Sequence, residues 1–410
     1  MTTRFRQDYG PLYFLASLGM GGLAVSFFMY VMFLTKHPET PIATFDSVAE
    51  TYRTGSTGII VMTTVALVAI LWFSIRHFQL LFANLLAFGR YRTTPAYASL
   101  RSSNAEVQVM AIPLTLAMSV NVLFVLGALA IPGLWGAIEV LLPIALALFG
   151  AIGVLGTWLF GRYLVRAVVH REFDPEDTNH FSQVLPAFAF VMVAVGFASP
   201  AAMSHHRATA VIGMLGTFVF LTAAAAWILV KLPVSFGAML RHGIAPQAGS
   251  TLWLGIPIFT LVGISAIRVL SGVAHSFSNT ELSPAVAFVL LGLLLAAQLV
   301  MGVAGYLVMR AQGYFATYVR GNGASVPAYG LVCPGVAVAV LGMFFIHWGL
   351  VRTETIALFS WPHLALLGIV LAVQVRTIET AVRLNRKLLG SSDPADPSHP
   401  RAEELEVTHV

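Results

Sequence analysis

Long apolar runs separated by polar stretches dominate the chain, at residues 11–35, 57–88, 108–131, 136–165, 183–203, 208–236, 251–274, 284–310, 326–350 and 355–380. At about 1.5 Å per residue, a helix of this length crosses a hydrocarbon core of about 30 Å. The pattern predicts an all-α integral membrane protein with ten transmembrane helices. The first run is too long for a signal-peptide core and lacks a small-residue cleavage site, so it reads as a retained span. The chain divides into a cytoplasmic N-terminus, 1–10, a ten-helix transport domain, 11–388, and a tail, 389–410. That tail is polar and proline-bearing and reads as disordered.

Basic residues between the runs alternate in number. On one side lie Arg4, Arg6, Arg76, Arg90, Arg92, Arg101, Arg162, Arg166, Arg171, Lys231, Arg241, Arg310, Arg320, Arg376, Arg383, Arg386, Lys387 and Arg401. The other side carries only Lys36, Arg53, Arg207 and Arg352. Eighteen against four, by the positive-inside rule, puts both termini in the cytoplasm of a bacterial inner membrane. The mostly short outer loops pair the helices as five antiparallel hairpins.

The odd-numbered runs repeat a feature: each has a proline near its cytoplasmic start, Pro11, Pro113, Pro186, Pro257 and Pro327. Read as helix breaks, these prolines also align the runs. Six residues on come Ser17, Ser119, Met192, Gly263 and Cys333, and eight residues on Gly19, Asn121, Ala194, Ser265 and Gly335. Small and polar side chains here fit a pore lining, and they fit close helix packing in lipid equally. Two residues after the prolines stand Tyr13, Thr115, Phe188, Phe259 and Tyr329, either an aromatic column at the inner mouth or an interfacial belt. Broken odd helices and long, apolar even ones predict a quasi-fivefold inner ring of odd helices inside an outer ring of even ones.

Composition agrees, with 58% hydrophobic residues, 10% charged and a mean hydropathy of +0.82. The net charge of +5 follows loop topology, so it points to the lipid bilayer and not to nucleic acid. One cysteine, Cys333, excludes an intramolecular disulfide and any multi-cysteine metal site. Pro334 beside it removes a backbone donor and is expected to free the Tyr329 carbonyl. Cys333 has three readings: a small residue in a helix seam, a pore-lining residue, or a reactive thiol. Arg268, inside the seventh run, either attracts an anion or pairs with Glu139 of the fourth. Lys231 and Arg76 read as snorkelling anchors. Of the twelve histidines, His77, His170 and His242 fall near the inner face and His205, His206, His275 and His347 near the outer, which argues against haem or metal. No P-loop, His-Glu-x-x-His or intramembrane acidic pair is present, so no cofactor and no catalytic residue is assigned outside the Cys333 alternative.

In this architecture the chain resembles the tellurite-resistance/dicarboxylate transporter family, which includes bacterial TehA and the plant slow-anion channels. The most local likeness is Ala328-Tyr329-Gly330-Leu331-Val332-Cys333-Pro334, where Cys333 stands at the family's gate phenylalanine, so that the resemblance implies a gate position at Cys333 and Pro334. The resemblance implies passage of a small anion through a pore in each protomer of a homotrimer, by a channel or a uniporter-like carrier. It also implies a changed gate, since a thiol cannot fill the cross-section of a benzyl ring. The opening stretch from Tyr9 to Tyr30 is similar to TsoY-type membrane proteins, some of which carry selenocysteine. That likeness implies a membrane redox or sulfur/selenium-handling protein with Cys333 as its reactive group.

Overall fold

The computed structural model describes Phe5, residues 9–169 and residues 180–390. Arg4, Arg6, His170, Arg171, Arg401 and the tail from 391 onward lie outside the described residues. Within them there is no strand, and ten helices are long and apolar enough to cross a membrane. We label these α1 (Pro11–Leu34), α2 (Thr57–Tyr91), α3 (Asn104–Ala130), α4 (Leu134–Val169), α5 (Phe181–Met203), α6 (Arg207–His242), α7 (Pro246–Ser278), α8 (Pro284–Ala311), α9 (Val326–Val351) and α10 (Trp361–Leu389). Two shorter helices, Phe45–Thr54 and Pro95–Arg101, sit in the first two loops. The last span begins at Trp361 rather than 355, because Glu354 and Phe359 adopt left-handed backbone and Pro362 opens the helix.

All five odd helices start alike, with a 3₁₀ turn that passes into α-helix: Pro11–Tyr13, Asn104–Met110, Phe181–Val184, Pro246–Trp253 and Val326–Leu331. Their prolines occupy these turns or the first α turn after them, where a missing N–H removes no intrahelical bond. They therefore initiate helices and do not interrupt them. Pro334 behaves the same way, as the third residue of the α-helical part Val332–Phe344. The carbonyl four residues before Pro334 is that of Gly330 and not of Tyr329, and the Tyr329 carbonyl is not free: the Val332 N–H donates to it as the 3₁₀ turn closes. The irregular part of α9 lies at its other end, a π-helical stretch over Phe345–Val351.

Burial separates odd from even. In the most apolar window of α1, α3, α5, α7 and α9, 61–94% of residues are buried, against 17–28% in the even helices. Outward apolar side chains such as Val154 on α4, Leu229 on α6 and Val300 on α8 are more than two-thirds exposed, as a lipid-facing surface requires. Each odd helix packs on the even helix that follows it. Successive odd helices also touch, and α9 touches α1.

Buried hydrogen bonds tie these neighbours together, in addition to the van der Waals packing that holds helices in lipid. His77 of α2 meets the Ser17 carbonyl at 2.8 Å and the Ser119 hydroxyl at 2.9 Å, joining α1, α2 and α3. Trp227 of α6 donates to the Gln183 carbonyl of α5, and Gln298 of α8 donates to the Ile256 carbonyl of α7. Gln374 of α10 accepts from Tyr30 and donates to Ser26, both on α1.

Candidate functional site

A cavity of about 150 Å³ lies between the five odd helices. At ~10–15 Å³ of such space per water, it has room for on the order of ten water molecules. Every odd helix contributes to its wall, α4 contributes Leu142, Ala145 and Phe149, and the first loop contributes Ile42. It extends from Phe188 and Pro257, near the proline ends, to Met203 and Phe344 near the opposite ends. The wall is mostly apolar, with polar atoms from Asn121, Ser199, Thr260, Cys333 and Arg268, and no carboxylate.

Arg268 is the only ionisable nitrogen base on that wall. Its guanidinium crosses from α7 to α5, donating to the Val195 carbonyl at 3.2 Å and to the Ser199 hydroxyl at 2.5 Å. No carboxylate among the described residues forms an ion pair with it. Glu139 is engaged elsewhere, accepting from the Ser204 hydroxyl at 2.7 Å and from the His205 backbone N–H at 2.6 Å. Of the two sequence readings for Arg268, the geometry has the side chain on the cavity wall and not on Glu139.

The positions singled out in the sequence divide. Gly19, Asn121, Met192, Pro257 and Cys333 join Arg268 on the wall, with the Asn121 amide directed at the Met192 sulfur, 3.7 Å away. The other aligned positions lie in helix seams. Ser17 and Ser119 bracket His77. The Ala194 carbonyl accepts from Thr217 of α6, 3.3 Å away. Ser265 is buried without a hydrogen-bond partner. A side chain at Gly263 would meet Leu294 and Leu341, and one at Gly335 would collide with Thr377 of α10. Pro11, Pro113, Pro186, Pro327 and Pro334 are likewise off the wall.

The reason is rotational. The wall of α1, α3 and α7 includes Gly22, Phe124 and Arg268, each eleven residues after its proline. In α5 and α9 it runs Met192, Val195, Ser199, Met203 and Cys333, Val336, Val340, Phe344, in both cases six, nine, thirteen and seventeen residues on. The two sets are out of phase by about one position, roughly 100° of helix rotation, so no single column aligned on the prolines follows the wall in all five helices. Ser199 and Thr260 escaped notice for this reason, although a hydroxyl beside a proline in Ser199-Pro200 and one three residues after Pro257 were there to be read.

The aromatic column separates too. Only Phe188 reaches the cavity. Tyr13 and Tyr329 are fully buried with ring centroids 6.4 Å apart, and Phe5 packs edge-on to Tyr13 at 5.0 Å. Among the described residues no three His, Cys, Asp or Glu side chains converge to hold a metal. Compared with known proteins, the chain matches no protein-family model and no curated protein.

Proposed function

We propose that the chain is a multi-pass transport protein of the bacterial inner membrane, with both termini cytoplasmic, that passes a small anion along a path between α1, α3, α5, α7 and α9. One observation carries this reading: the Arg268 guanidinium borders a mostly apolar cavity between the odd helices with no carboxylate on its wall to balance it. A fixed cation in apolar, low-dielectric surroundings is costly alone, and a mobile anion offsets that cost while bound. The contacts running α1–α3–α5–α7–α9 and back to α1, with each even helix outside its odd partner, support a quasi-fivefold ring of five hairpins. This is the arrangement that the likeness to the tellurite-resistance/dicarboxylate transporters leads us to expect, and a homotrimer belongs to the same proposal. A wall without carboxylates favours a channel or uniporter-like carrier over a proton-coupled one.

The Cys333 thiol on the wall favours a second reading, a membrane redox or sulfur/selenium-handling protein. Liposome flux separates the two. Reconstituted protein should release small anions such as chloride or nitrate faster than protein-free vesicles, and Cys333→Ser should retain at least half of that rate. No release by the parent protein would sink the transport reading, while release lost on Cys333→Ser would favour the thiol.

A further inference from the structure

A larger cavity, of about 430 Å³, lies outside the helix ring, between α2, α3, α4 and the short helix Pro95–Arg101. Its wall changes character with depth. Arg92, Arg101 and Arg162 line one end, Leu155 and Leu159 the other, and Trp158 lies between them. Measured from Ile138, where the α-helical part of α4 begins, Arg162 is about 36 Å along the axis and Leu155 about 26 Å, at ~1.5 Å per residue. A hydrocarbon core of about 30 Å therefore ends between them, at the level of Trp158, the side chain most at home at a headgroup boundary.

Among the described residues, charge at the polar end is unbalanced. Glu106, the only carboxylate on this wall among the described residues, is 2.8 Å from both Arg101 and Arg166, so its charge is already matched. Arg92 and Arg162 have no carboxylate partner among the described residues, and the Arg162 guanidinium lies over the Trp158 ring, 4.7 Å from its centroid. The result is a guanidinium-lined mouth at headgroup depth above an apolar slot at acyl-chain depth. Neighbouring Val154 and Trp158 are more than half exposed on the lipid-facing side, so the slot is continuous with that surface.

We propose that this cavity binds an anionic phospholipid, with its phosphate among Arg92, Arg101 and Arg162 and an acyl chain along Leu155 and Leu159. Guanidinium groups suit phosphate oxygens because their N–H donors match them in pairs. A soluble phosphate would use only the upper half of the site; the amphiphile uses both. Basic pockets between spanning helices near a membrane face hold lipid headgroups by this combination of charge and depth.

The test uses full-length protein in detergent, titrated with phosphatidylglycerol or phosphatidylcholine and read by native mass spectrometry together with thermal unfolding. Phosphatidylglycerol should be retained with at least fivefold higher apparent affinity than phosphatidylcholine. The double variant Arg92→Gln, Arg162→Gln breaks no described ion pair, so it should unfold near the parental temperature without lipid and lose most of that preference. Leu155→Trp leaves the charges in place and fills the slot, and it should weaken retention of phosphatidylglycerol as well. Equal binding of the two lipids, or parental preference in both variants, would overturn the site. Stabilisation by inorganic phosphate alone as strong as that by phosphatidylglycerol would overturn the lipid assignment.

Discussion

Arg268 and Glu139 are the two charges that the sequence alone could not separate, and their partners give them different jobs. Glu139 holds the turn between α5 and α6 through Ser204 and His205, so Glu139→Gln should cost about 1–2 kcal/mol of stability, the scale of a weakened charge-assisted hydrogen bond. Its anion flux should stay within about twofold of the parent once expression is matched. If the pair existed, Glu139→Gln would instead rescue a poorly folding Arg268→Gln, an outcome that thermal unfolding of the double variant would reveal. Cys333 also has a volume argument. It borders the cavity, as do Met192 and Phe188, and a thiol leaves open what a benzyl ring would fill. Cys333→Phe should reduce flux several-fold in liposomes while the detergent-solubilised protein elutes and unfolds like the parent. Normal flux in a folded Cys333→Phe would mean that the path does not pass this level.

At the scale of helices, much was legible because length and hydropathy act over twenty residues at a time. The ten runs, their order and the proline starts all have counterparts in α1 to α10. Rotation about each helix axis was not legible, for a physical reason. The proline fixes where a helix begins, as the third α-helical residue in α3 and α7, the second in α5, and inside the 3₁₀ turn in α1 and α9. It does not fix which side the packed helix turns inward; that is decided by neighbours far off in sequence. Gly335 illustrates the point, since a small residue read as pore-lining is needed where α9 approaches Thr377 of α10. Gly335→Ala should therefore destabilise the protein by about 1–3 kcal/mol, the range for overpacking, and adding Thr377→Ala should recover most of it in thermal unfolding. A Gly335→Ala protein as stable as the parent, with altered flux, would return this residue to the pathway.

For the whole molecule, composition and loop charge carried the reading as far as a ten-helix membrane chain, and the cavity supplied what they could not. A cavity between five helices depends on contacts between residues hundreds of positions apart, such as Tyr30 with Gln374, and these leave no local trace in the chain. Arg268 was visible as an intramembrane charge, but its isolation from Glu139 was visible only in three dimensions. The central claim is that this unpaired cation makes the path between the odd helices selective for anions. Its most direct test is the reversal potential across a planar bilayer holding the reconstituted protein under a tenfold potassium chloride gradient. The parent should give a value close to the chloride equilibrium potential, and Arg268→Gln, at matched incorporation, should move it more than halfway toward zero. A parental reversal potential at the potassium equilibrium value, or one that Arg268→Gln leaves unchanged, would contradict the account.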